Sequence, residues 1–74
     1  MSKLAFKFDT TLTIVTEFDE EADNIVDEVQ EFFEAGEVFE ATLIPTDMKE
    51  YVDIQFGDGS LALGVNLKSF AEVA

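Results

Sequence analysis

Cysteine, histidine, arginine and tryptophan are absent from these 74 residues, proline occurs once, and four lysines are the only basic side chains. Without Cys there is neither a disulfide framework nor a thiolate metal site. Without His, nucleophilic catalysis of the Ser/His/Asp kind is excluded for Ser2, Ser60 and Ser69, and so are the Glu-x-x-His metal pairs of helical bundles. The one Gly-rich stretch, Gly57-Asp58-Gly59-Ser60, has neither the spacing nor the Lys of a phosphate loop, and its Asp would repel a phosphate. A calcium loop also fails: Asp19, Glu21 and Asp23 alternate, but Asn24 stands at the sixth position, where the sharp turn needs Gly. No apolar run approaches the ~20 residues of a membrane span, and Met1-Ser2-Lys3-Leu4 lacks the apolar stretch of a signal peptide. The expectation is a protein with no enzymatic activity, no cofactor, no metal and no membrane partner, located in the cytoplasm.

What is present is acid and hydrocarbon. Seventeen Asp and Glu against four Lys give a formal charge of −13, while hydrophobic residues make up 47% of the chain and eight are Phe. That is too apolar for a disordered acidic tail, so the chain should fold as one small domain, residues 1–74, around a single core. The charge repels nucleic acid, which excludes direct nucleic-acid binding, and attracts basic protein surfaces.

The stretch from Asp19 to Gly36 reads as an amphipathic helix. Ala22, Ile25, Val26, Val29, Phe32 and Phe33 fall within an arc of about 120° at helical spacing, with Asp19 positioned as N-cap and Gly36 as the stop. The other side carries Glu20, Glu21, Asp23, Asp27, Glu28, Glu31 and Glu34, and no Lys lies between Lys7 and Lys49 to relieve them. Like charges at three- and four-residue spacing would cost such a helix roughly 1 to 2.5 kcal/mol in sum. A local rule broken without visible compensation points to function.

Around that helix the sequence predicts strands. Leu4, Phe6, Phe8, Thr10, Leu12, Ile14, Thr16 and Phe18 occupy even positions, as a hairpin turning at Asp9-Thr10-Thr11 or as one bent strand. Phe39, Ala41 and Leu43 alternate inward until Pro45 ends the run, and Val52, Ile54 and Phe56 follow a turn at 46–49. This pairs Leu43 with Val52 and Ala41 with Ile54. Asp58-Gly59 reads as a type I′ hairpin turn that sets Phe56 opposite Leu61, Ile54 opposite Leu63 and Val52 opposite Val65. The tail from Lys68 allows at most one helical turn, with Phe70 under the sheet edge. The expected class is α+β: an antiparallel sheet in the order β-β-α-β-β-β or β-α-β-β-β, with the acidic helix packed on one face.

Ten of the seventeen acids lie between Glu17 and Glu37, whereas adaptation to high salt would spread acids over the whole surface. Eight carboxylates from Asp19 to Glu34 would occupy about 22 Å of helix, close to the ~3.4 Å per phosphate of one DNA strand. In this localised acidity, and in the order of elements from Leu12 to Leu67, the chain resembles the acidic DNA-mimic inhibitors of phages, among them the uracil-DNA glycosylase inhibitor family. That family carries Glu-Ser-Ile on its first strand; the nearest segment here is Thr16-Glu17-Phe18. The resemblance implies an inhibitor acting inside an infected host cell, in which Glu20, Asp23, Asp27, Glu28, Glu31 and Glu34 stand in for phosphates and fill the basic groove of a nucleic-acid-binding protein. Gly36-Glu37-Val38 and Phe56-Gly57-Asp58-Gly59 through Phe70 also look like parts of small SH3-like barrels, a scaffold without one function. The alternative function is a non-enzymatic adaptor or assembly subunit docking through its sheet, with Tyr51, Val15 and Val38 as apolar anchors.

Overall fold

The alternation that begins at Leu4 makes two strands that do not pair with each other. In the computed structural model, which describes residues 1–73, β1 (Ser2–Phe6) and β2 (Thr10–Asp19) are separated by a corner at residues 7–9. The remaining elements are β3 (Asn24–Phe33), β4 (Val38–Pro45), β5 (Tyr51–Phe56), β6 (Leu61–Asn66), a single 3-10 turn at Leu67–Ser69, and β7 (Phe70–Glu72). All pair antiparallel in one seven-stranded sheet of order β3-β2-β6-β5-β4-β1-β7.

The expected helix is therefore corrected to a strand, and the class from α+β to an antiparallel sheet: residues 24–33 are β3, hairpinned onto β2. Ile25, Val26, Val29, Phe32 and Phe33, five of the six members of the helical stripe, are β-branched or aromatic and suit a pleated surface. Extension also removes the like-charge neighbours that a helix would stack at three and four residues, because a strand divides its side chains between two faces. Asp19 does accept from free N–H groups as expected of a cap, taking Glu21 N–H at 3.0 Å and Ala22 N–H at 3.3 Å. Those amides belong to a tight turn at 20–23, which Asp23 closes in the left-handed region at φ 51°. Asp is among the few residues that tolerate this conformation.

Two registers also differ from the sequence reading. The β4–β5 loop runs from Thr46 to Glu50, one residue longer than expected, and slides the ladder by two so that Ala41 faces Phe56, Leu43 faces Ile54 and Pro45 faces Val52. A shift of two preserves the inward face, so the core set survives. Thr46 fixes this loop, its hydroxyl donating to Tyr51 O at 2.8 Å and accepting Met48 N–H at 3.2 Å. In the β5–β6 hairpin Val52 faces Val65 as expected, but Ile54 then faces Ala62 and Gln55 faces Leu61. An extra residue has entered β6 at Leu63-Gly64, where Gly64 sits at φ 64° and donates its N–H to Asp53 Oδ1 at 3.0 Å. This bulge turns Leu63 outward, 49% exposed, and puts Ala62 into the core at 1%. At the hairpin tip only Gly59 has positive φ, 89°, so the turn is not type I′.

With no helix to cover it, the sheet buries its apolar face by curling on itself. Leu4, Phe6, Leu12, Ile14, Phe33, Ala41, Val52, Ile54, Ala62, Val65 and Phe70 form one core to which every strand contributes. Its densest part is aromatic: Phe6 lies 5.5 Å from Phe33 and from Phe39 and 6.0 Å from Phe70, and Phe33 reaches Phe56 at 5.9 Å. Phe33 is the only buried residue of β3. Together with the Gly36 N–H to Phe6 O bond of 3.0 Å, it brings one end of β3 against β1, far along the sheet order.

Candidate partner-binding site

Past Val15 the β2–β3 hairpin leaves the core, and every residue from Thr16 to Phe32 is exposed. The result is an exposed arm on a molecule measuring 38 × 24 × 19 Å. A ten-residue hairpin of this kind is about 34 Å long. It bears Glu17, Asp19, Glu20, Glu21, Asp23, Asp27, Glu28, Glu31 and, at its base, Glu34, with no Lys among them.

The six residues expected to bind a partner all lie on this arm but not on one face. Glu20 and Asp23 are in the tip turn, Asp27, Glu28 and Glu31 are on β3, and Glu34 follows it. Glu31 is opposite Leu12, on the core-facing side, and Glu28 is opposite Val15, on the outer side. The single charged face of a helix is thus replaced by a ribbon that is negative on both sides. Glu17 was missed as a member of the set; it faces Asp27 across the ladder, where like charges repel. Its place in the same acidic run was the available signal. Although the acids are dense they do not converge, and among the described residues no three of them form a group that could hold a metal ion.

The ladder is irregular between Val15 and Phe18, where Thr16 on β2 and Val26 on β3 fall out of register. Beyond that point Phe18 shares the outer side with Val15, and both line a half-enclosed apolar groove of about 320 Å³ with Leu61, Leu63 and, at its rim, Glu20. Sequence reasoning had no view of this groove, because it depends on the two bulges that turn Phe18 and Leu63 outward. Of the three anchors expected for sheet docking, Val15 is buried as the floor of the groove, Val38 is exposed at the opposite part of the sheet, and Tyr51 lines a separate shallow pocket with Thr46, Met48 and Gly64. The structure does not bring them together.

No family model, curated protein or solved structure matches this chain. Its functional reading rests on the arm. Among the described residues there is no helix long and apolar enough to cross a membrane. In the β5–β6 turn Asp58 accepts the Ser60 hydroxyl and, at 3.0 Å, the Ser60 N–H, and these bonds hold its pKa low. Asp58 shapes the β5–β6 turn.

Proposed function

We propose that this protein is a small acidic inhibitor whose β2–β3 arm occupies the basic groove of a nucleic-acid-binding protein. The observation that supports this is the arm itself, nine acids without a base, every one of them exposed. Over about 34 Å they average roughly one carboxylate per 4 Å, near the ~3.4 Å per phosphate of one DNA strand. The density proposed for a helix is therefore retained by a ribbon. A ribbon of two strands is also narrow enough to enter a groove that accommodates nucleic acid.

A second reading, an adaptor docking through its sheet, is favoured by the apolar groove at Val15, Phe18, Leu61 and Leu63. Ionic strength separates the two. Contacts made by many charges weaken steeply from low to moderate salt, whereas apolar docking hardly changes. The direct experiment is affinity capture of the target from lysate followed by competition with duplex DNA. The variant Asp27→Asn, Glu28→Gln, Glu31→Gln, Glu34→Gln should lose binding by about a hundredfold or more, chiefly through slower association. A control with equal loss of charge in the body, Glu40→Gln, Asp47→Asn, Glu50→Gln, Glu72→Gln, should bind almost normally. If the control loses binding and the arm variant keeps it, the arm is only a solvated surface.

A further inference from the structure

Strand β3 ends the sheet: it pairs with β2 on one side, and among the described residues no strand pairs with its other side. Alternate residues of such an edge direct their N–H and C=O groups into solvent, a template for another strand. Proteins usually blunt long edges with Lys, Pro, a bulge or simple brevity. Here the edge is ten residues long, contains neither Lys nor Pro, and is bulged only near its start at Val26. From Glu28 to Phe32 the ladder is regular. That segment also exposes apolar side chains, Val29 at 47% and Phe32 at 58%, between Asp27, Glu28 and Glu31.

Charge decides the occupant. A second copy of the chain would place acids against acids along the new ladder, where like charges directly opposite are destabilising. A cationic strand meets the reverse situation: alternation puts its Lys or Arg side chains on one face, beside Asp27 and Glu31, and its apolar side chains on the other, beside Phe32. The acids thus exclude self-association without closing the edge. We infer that the free edge of β3, from Asp27 to Phe32, receives an extended segment of a partner protein, alternating basic and apolar residues, as an added strand. This rests on the reading that the partner of the arm is a cationic protein, and it specifies how that partner is held: main-chain hydrogen bonds give affinity and the flanking charges give selectivity.

The test uses the whole protein and two synthetic peptides, one alternating Lys and Val, the other of the same sequence N-methylated throughout, which keeps charge and side chains but cannot donate along a ladder. Calorimetric titration at low salt gives affinity, and amide exchange followed by NMR locates the contact. The unmethylated peptide should bind and slow the exchange of alternate amides between Asp27 and Phe32, and methylation should weaken binding by about tenfold or more, the loss of a few net hydrogen bonds. Equal binding of both peptides with unchanged β3 exchange would overturn the added strand while leaving a cationic partner in place. Failure of both peptides to bind would remove the cationic partner as well. Protection of β3 that grows with protein concentration and without peptide would identify a second copy as the occupant and overturn the inference.

Discussion

In the region where β1, β4 and β5 lie side by side, Leu4, Ala41 and Ile54 are closed to solvent; in the β2–β3 arm, water reaches every residue from Thr16 to Phe32. Both regions are antiparallel ladders. The first is held by side chains packed on its inner face, each large one contributing about 1.5–3 kcal/mol on burial. The second has only its ladder bonds and cross-strand pairs, and a two-stranded ribbon by itself is marginal in water. What keeps the arm ordered is its root: β2 runs back into the core through Ile14 and Leu12, and Phe33 holds the far end of β3. Stability and charge are thus assigned to different residues, which leaves the arm free to carry acids that a packed region would not tolerate.

The largest effect should come from cutting the core side of this division. Phe6→Ala removes a ring in contact with Phe33, Phe39 and Phe70 and should cost about 3–5 kcal/mol, enough to unfold much of a domain this small. Phe32→Ala, the neighbouring type of ring on the arm, should cost less than about 1 kcal/mol. Urea melts of the two variants give both numbers, and near-equal losses would mean that the arm is packed in a way this structure lacks. A smaller effect is expected at the bulge that turns Leu63 outward. Gly64 has open space where a Cβ would be, so Gly64→Ala should cost only the left-handed backbone conformation, roughly 1–2 kcal/mol, without change in the core. The smallest effect sharpens the comparison through acid. Asp58 has a lowered folded-state pKa, so its stabilising contribution is complete above the ordinary carboxylate range and disappears as pH falls through the lowered value. Melting temperature measured across the acid range should show that loss in the native protein, and Asp58→Asn should flatten that part of the curve slightly. A steeper curve in the variant would mean that the Ser60 bonds do not favour the charged form.

The same division explains what could be read from the sequence. Phe39, Ala41, Val52 and Ile54 lie on strands with one face buried, and burial enforces a period of two, so these strands and their inward side chains were legible. Pro45 marked the end of β4 for the physical reason expected, the missing donor. On the arm neither face is buried, and nothing compels Ile25, Val26, Val29 and Phe32 to alternate. The bulge at Val26 disturbs even the residual pattern, and the spacing that remains coincides with a helix. The acids were legible as exposed because exposure is required in either conformation; their division between two faces was not. The better signals were the β-branched and aromatic composition of 25–33 and the repulsion that a helix would have suffered. The groove at Phe18 and Leu63 could not be read, since bulges reverse the side on which a residue emerges.

The position of β1 has a consequence for how the chain reaches this state. It lies between β4 and β7, so its partners are Val38–Ala41 on one side and Phe70–Glu72 on the other, distant in sequence on both. The β2–β3 and β5–β6 hairpins can close locally on the microsecond scale, but Leu4 and Phe6 must wait for chain closures of thirty residues and more. During synthesis from the N-terminus, the acidic arm can form while those two side chains are still uncovered. Completion of the core therefore falls to the last strand, and a chain interrupted before Phe70 would present β1, which carries Leu4 and Phe6, with one edge open.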